Sequence, residues 1–191
     1  MFYRHQKNMI DWVMTDADSI NNYTTYHATN FKVDNWGINV NNTLFFRDLF
    51  GNDFCLNYLK LNYTYLHQKR YDQMNIYASS YALDYLRHKV VAILNSKIYG
   101  KLSAEISFRF QDRVGEFVKY SLSENDKGMM EYVANKRKYT PYALLGIKLL
   151  WQSKNIDVYL DSDNVTNKRY YDIGNVVQPG FWLMTGIKVR F

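Results

Sequence analysis

Apolar and polar residues alternate with a period of two over most of the chain, and the alternation is clearest at its end. In Gly180 to Phe191, GFWLMTGIKVRF, one face carries Phe181, Leu183, Thr185, Ile187, Val189 and Phe191. The other carries Trp182, Met184, Gly186, Lys188 and Arg190. An apolar face closed at both ends by an aromatic ring is the pattern of a barrel strand crossing a bilayer, which needs roughly ten tilted residues. A strand of a soluble sandwich alternates too, but nothing requires rings at both ends of its apolar face.

The same reading applied from the start predicts a weakly alternating strand at 2–13. A polar loop follows from Thr15 to Thr25. Next comes a strand with Trp36, Ile38, Val40, Asn42, Leu44 and Phe46 on one face. A short turn from Asp48 to Asp53 leads into a strand with Leu59, Leu61, Tyr63 and Tyr65 aligned. A longer loop from Tyr71 to Ser80 follows. The stretch Tyr81 to Tyr99 fits a helical face through Leu83, Leu86, Val90, Ile93 and Leu94. Its β-branched Val90, Val91 and Ile93 favour a strand, and a strand is the reading adopted.

Gly100-Lys101 turns the chain into its cleanest strand, where Leu102, Ala104, Ile106, Phe108 and Phe110 alternate with Ser103, Glu105, Ser107, Arg109 and Gln111. A polar loop is expected from Tyr120 to Lys138. A strand through Ala143, Leu145, Ile147, Leu149 and Trp151 comes next. After a turn at Gln152 to Asn155, another runs through Ile156, Val158 and Leu160 and ends near Tyr171. Asp172 to Pro179 is a loop before the last strand. About eight antiparallel strands result, with short connections near positions 50, 100 and 153 and long ones near 20, 75, 130 and 175. That two-sided asymmetry is the habit of outer-membrane barrels, and sandwiches have no such rule. Glu105, Arg109, Lys148, Asp157, Lys188 and Arg190 collect on the polar faces, which suits a wet lumen.

Composition sharpens this picture. In 191 residues the aromatic share is 17%, with 18 Tyr, which is high for a soluble domain. No run of 18 or more apolar residues exists to make a spanning helix. The lone Cys55 excludes an intrachain disulfide framework. The net charge of +6 is dispersed, and its densest group, Lys136-Arg137-Lys138 beside Tyr139, reads as strand-end loop charge rather than a nucleic-acid contact.

His5, His27, His67 and His88 lack metal-ligand spacing with one another and with Cys55. Asp161-x-Asp163 opens like a calcium loop, but Val165 and Thr166 stand where a ligand and the required Gly belong. Asp112 and Glu116 are spaced as ordinary strand-end charges, and no nucleophile elbow or phosphate cradle is present. The reading is of a non-enzyme with no catalytic, cofactor-binding or metal site and no cofactor.

The run Val158 to Phe191 resembles the C-terminal end of TonB-dependent outer-membrane receptors. The resemblance lies in Asp163-Asn164-Val165-Thr166-Asn167-Lys168-Arg169-Tyr170-Tyr171, Gln178-Pro179-Gly180 and the closing Phe191. Typical members have Leu-Phe at Val165-Thr166 and often Arg at Phe181. Tyr3-Arg4-His5, Asn8-Met9-Ile10-Asp11-Trp12 and Tyr81-Ala82-Leu83-Asp84-Tyr85-Leu86-Arg87-His88 are similar to the cobalamin-receptor-like branch of Bacteroidetes.

The resemblance implies that 1–191 is about the last third of a 22-stranded barrel. It also implies a plug, a TonB-engaging box and an export signal lying outside this stretch, since MFYRHQKNMIDWVM shows no signal pattern. It places the chain in the outer membrane of a Gram-negative cell, as part of an active transporter for a siderophore, cobalamin or similar large nutrient. Expected partners are outer-membrane lipid, the rest of the barrel and plug, the TonB system and the barrel-assembly machinery, which would read Phe191; nucleic acid is not among them. Ligand-binding residues are not specified. Two other readings remain: a small self-closed barrel with a structural or adhesion role, whose first strand would pair with its last, and a soluble β-sandwich binding module.

Overall fold

The computed structural model describes residues 1–15, 26–51, 54–71, 76–79, 84–124 and 128–190. In chain order the strands are β1 (Phe2–Thr15), β2 (His27–Phe45), β3 (Leu56–Arg70), β4 (Ile76–Ser79), β5 (Leu86–Tyr99), β6 (Leu102–Arg113), β7 (Glu116–Glu124), β8 (Met130–Lys138), β9 (Tyr142–Gln152), β10 (Ile156–Asp163), β11 (Tyr171–Ile173), β12 (Val176–Val177) and β13 (Trp182–Val189), with one short helix, α1 (Phe46–Phe50), between β2 and β3. A nine-stranded sheet runs in the order β13-β10-β9-β6-β5-β3-β2-β1-β4, and β7-β8 and β11-β12 form separate two-stranded ribbons. Every pairing is antiparallel.

Register decides the two faces. Leu44 pairs with Leu59, Leu59 with Leu94, Leu94 with Ile106 and Ile106 with Ile147, an unbroken apolar row across five strands. One residue away, Tyr58, Asn95, Glu105, Lys148 and Asp161 stand opposite one another in the same way. Because strand side chains alternate, a single-residue slip would exchange these rows, so the apolar pattern fixes the pairing. On β6 the apolar face runs from Leu102 to Phe110 and on β9 from Ala143 to Trp151. Each spans about nine residues, the length a tilted strand needs to cross hydrocarbon.

Cross-strand partners meet most of the polar face, while the buried Asn57 Oδ1 and Asp157 Oδ1 find no hydrogen bond among the described residues. Tyr58 Oη donates to Glu105 at 3.0 Å, Arg109 meets Asp163 at 3.0 Å, and Lys148 meets Asp161 at 3.5 Å. Arg190 pairs with Asp157. All six charges expected on this face except Lys188 thus have a named partner, and Lys188 stands opposite Asp157 in register.

The connections alternate as the sequence indicates, with differences in detail. At one end Gly100-Lys101 joins β5 to β6 and 153–155 joins β9 to β10. The turn expected at 48–53 is instead α1, stopped by Gly51 at φ +89°. At the other end three expected loops carry ladders. The 71–80 loop contains β4, which pairs with β1 at Val13, Met14 and Thr15. The 120–138 loop is largely the β7-β8 ribbon, since a polar tract wet on both faces can pair without any apolar alternation. The 172–179 loop contains β11-β12.

Strand β2 begins at His27, nine residues before its alternation becomes regular, because β1 supplies pairing partners there. Strand β10 ends at Asp163 rather than near Tyr171. There Asn164, buried and at φ +50°, accepts from Lys168 N–H at 2.9 Å and donates to the Lys168 and Pro179 carbonyls at 2.8 and 3.2 Å. Asn167 Oδ1 accepts from Phe181 N–H at 3.0 Å, and a Cβ on Gly180 would sit 2.2 Å from that oxygen. The two halves of the terminal motif therefore clasp each other, and a side chain at 180 would displace Asn167 from this contact. The strand reading of 86–99 over the helical one is correct, with Val90, Ala92 and Leu94 on the outer row.

The sheet is open: among the described residues β1 pairs only with β2 and β4, and β13 only with β10. The first-to-last pairing required by a small self-closed barrel is not formed among them. The loop expected at 15–25 lies almost wholly outside the described residues, as do 81–83 and Phe191.

Candidate functional site

The long connections converge where β6 ends. Arg113, its last residue, is directed by the strand into the gap between three of them. Its Nη1 donates to the Asp84 carbonyl at 2.6 Å, from the connection before β5. Its Nη2 and Nε donate to Asp172 Oδ1 at 3.0 and 3.3 Å, from the connection after β10. Its guanidinium lies 5.8 Å from the ring centre of Tyr139, which follows β8.

Tyr139 completes the knot. Its hydroxyl accepts from Gly174 N–H at 2.8 Å and hydrogen-bonds the Asp84 side chain. Its own N–H donates to the Gly115 carbonyl at 3.4 Å. Gly115 has φ +118°, and a Cβ there would lie 2.0 Å from Asp84 Oδ1 and 2.6 Å from its Cγ. A glycine is the residue that lets this turn pass so close to the carboxylate.

Burial dominates the electrostatics. It pushes the Asp84 carboxyl up to about 6, against the opposing help of the Tyr139 hydrogen bond and the Arg113 charge. Burial, reinforced by the Asp84 charge, pushes the Tyr139 phenol up to about 12. Neighbouring charges are paired: Arg87 with Asp112 at 2.7 Å and Lys136 with Glu116 at 2.8 Å.

Two cavities of about 610 and 620 Å³ open on either side of this knot. Ser79, Asp84, Arg113, Glu116 and Tyr139 line both. One lobe is rimmed by Arg70, Arg87, Lys136 and Lys138, the other by Tyr26, Phe117, Tyr120 and Ile173. The chamber offers cationic and aromatic groups side by side, at a size suited to part of a large polar ligand.

Residues singled out from the sequence fall in varied places. His5 bonds Asp34, His67 stacks near Trp36, and His88 bonds Tyr63, so these histidines have separate partners. No cluster able to hold a metal ion occurs among the described residues. Asp161 and Asp163, the start of the apparent calcium loop, are committed to Lys148 and Arg109. Of the basic run, Lys136 faces Glu116 while Tyr139 turns inward and is buried. The Asp84, Arg113, Tyr139 and Asp172 knot was not legible beforehand. Its members are up to 88 positions apart and share no motif; only the mid-loop glycine at 115 hints at a close approach.

No protein-family model matches this sequence, and no curated protein matches it. Solved structures do match its fold. The pyoverdine outer membrane receptor FpvA from Pseudomonas aeruginosa PAO1, bound to pyoverdine, superposes with TM-score 0.60 at 15% identity over 100% of this chain and 26% of that one. FpvAI in complex with pyocin S2 gives TM-score 0.58 at 16% identity over 97% and 23%. The FrpB iron transporter from Neisseria meningitidis, F3-3 variant, gives 0.57 at 13% identity over 97% and 27%. The chain thus has the fold of part of an outer-membrane receptor barrel and spans about a quarter of the length of these structures.

Proposed function

We propose that this chain is the C-terminal part of the barrel of a TonB-dependent active transporter in the outer membrane of a Gram-negative bacterium. The observation that carries this reading is the unbroken apolar row from Leu44 to Ile147 backed by the polar row from Tyr58 to Asp161. An apolar face of that height has no partner in the sheet, whereas a bilayer would cover it and water would fill the other side. The terminal motif, the short and long connections and the receptor-barrel fold of the solved neighbours agree with it. An open sheet leaves its edge N–H and C=O groups unpaired, at several kcal/mol each in lipid. The remaining barrel strands would pair those edges, and the plug and TonB-engaging box would lie elsewhere in the complete receptor.

The cargo is a siderophore, cobalamin or a similar large nutrient. The chamber around Arg113 would form part of the outer vestibule, and the named iron-uptake neighbours favour a ferric chelate. The likeness of Tyr81 to His88 to cobalamin receptors keeps the second class in play. The role is transport rather than catalysis, and Phe191 would serve the assembly machinery.

Topology tests the reading. On intact cells carrying the complete receptor, protease or thiol labelling is expected to reach sites in 120–138 and to miss 152–155. Labelling at 152–155 with a silent 120–138 would invert the orientation and overturn the proposal.

A further inference from the structure

The three short-end connections are chemically unlike. Gly100-Lys101 and 153–155, Ser-Lys-Asn, are polar, whereas the β2–β3 connection begins Phe-Arg-Asp-Leu-Phe and closes on Phe54. In α1 the residues Phe46, Leu49 and Phe50 occupy one arc of about 100° and Arg47 and Asp48 the rest. The rings of Phe46, Phe50 and Phe54 pack on one another with centroids 4.9 to 6.4 Å apart. That self-packing does not bury the cluster: Leu49 is 66% and Phe50 65% exposed.

Two observations orient this apolar knuckle. Arg47 lines an inward cavity with Asn57, Asn95, Ser103 and Gln152, all on or beside the polar row. On a helix Leu49 lies nearly opposite Arg47, so it points away from the lumen. The knuckle also begins two residues after Leu44, the last outer-face residue of β2 and the first of the unbroken apolar row. It therefore continues the lipid-facing surface past the end of the strand.

We infer that α1, with Phe54 packed on it, is an interfacial foot, whose Leu49 and Phe50 enter the headgroup–acyl boundary of the leaflet on the short-turn side. Arg47 stays in the wet lumen. Rings and a leucine beside a charged flank are the composition that settles at such a boundary. Water would leave the arc solvated at a cost, and a soluble partner would have to cover it against the continuity with the apolar row. The foot would fix the depth and tilt of β2 and β3 in the bilayer.

The inference rests on the membrane reading, and one experiment separates the two. In the complete receptor carrying Cys55→Ser, reconstituted in phosphatidylethanolamine–phosphatidylglycerol vesicles, nitroxides are placed one at a time at Leu49→Cys, Phe50→Cys, Ile147→Cys and Lys154→Cys. Collision rates with oxygen and with a water-soluble nickel chelate are then compared. The oxygen-to-nickel ratio at positions 49 and 50 is expected to exceed that at 154 several-fold and to fall below that at 147. Ratios equal to that at 154 while 147 remains oxygen-rich would overturn the foot alone. Low collision rates with both reagents at 49 and 50 would also overturn it, showing protein rather than lipid as the cover. A nickel-rich reading at 147 would overturn the membrane reading and the foot with it.

Discussion

The spanning part of the sheet and its loop end keep their hydrophobic side chains in opposite places. In the spanning part Ile106, Ile147 and Leu160 are 37–44% exposed, although each is paired with a neighbouring strand on both sides. At the loop end Val13, Phe31 and Val33 are 0–2% exposed, packed together with Met9 and Ile76. Met14 and Val118 form a second small core beside Tyr26 there. The first region is held by backbone ladders with its apolar face uncovered, and the second builds an ordinary core. On the membrane reading proposed above, one chain is thus adapted to two solvents, and the switch occurs along single strands, notably β1 and β2.

The bulge in β1 is where that switch is made. Asn8 adopts φ +59°, and the β1–β2 register shifts between Gln6 and Met9. The extra residue lets Met9, Asp11 and Val13 face inward beneath β4 while Ile10 and Trp12 stay outside. Without it the inward and outward sets of the upper strand would be exchanged.

Four substitutions probe this contrast. The largest effect is expected in the loop-end core, where Phe31→Ala should cost about 3–5 kcal/mol of local stability. Hydrogen exchange on the complete receptor should show lost protection at 13–15 and 76–79 with 143–151 unchanged; uniform loss would mean that the two regions are one cooperative unit. Next comes the spanning face, where Ile147→Arg should cost roughly 2–4 kcal/mol in a folding titration into vesicles. Lys148→Leu beside it should cost about 0–1 kcal/mol, since its partner Asp161 is partly solvated. A neutral Ile147→Arg together with a costly Lys148→Leu would mean that the faces are reversed.

An effect smaller than those at Phe31 and Ile147 is expected in the polar knot. Asp84 has its carboxyl raised to about 6 from 3.8, so the folded mouth favours the protonated form. Its stabilising contribution is complete below about pH 4 and is lost as pH rises through about 6. Asp84→Asn should therefore strengthen the mouth above pH 6 by about 1–2 kcal/mol after allowance for partial solvent screening, and change little at pH 4. Exchange rates of the Val114 and Gly174 amides at both pH values measure this, and a benefit confined to pH 4 would reverse the sign of the argument.

Much of the spanning region could be read before folding was considered. On the proposed reading, lipid on one side and water on the other select every second residue, so Leu102 to Phe110 and Ala143 to Trp151 announce their own conformation and facing. The terminal motif was readable as a pattern, but its cause was not. Only the folded chain shows Asn164 and Asn167 gripping Lys168, Pro179 and Phe181.

The loop end was read less well because no bilayer imposes a period there. Polar Tyr120 to Lys138 looks like a loop until Glu116 and Lys136 are brought together across the ribbon. Strand β4 is four residues long, and its identity depends on reaching the far edge of β1. The knot around Arg113 needs Asp84, Tyr139 and Asp172 delivered from three connections. By itself, then, the sequence determined strands, faces and the short-long asymmetry, because those follow from local alternation. The tertiary structure alone decided the open sheet order, the β1 bulge and the Arg113 chamber, because each depends on contacts between segments whose local sequence carries no record of the partner.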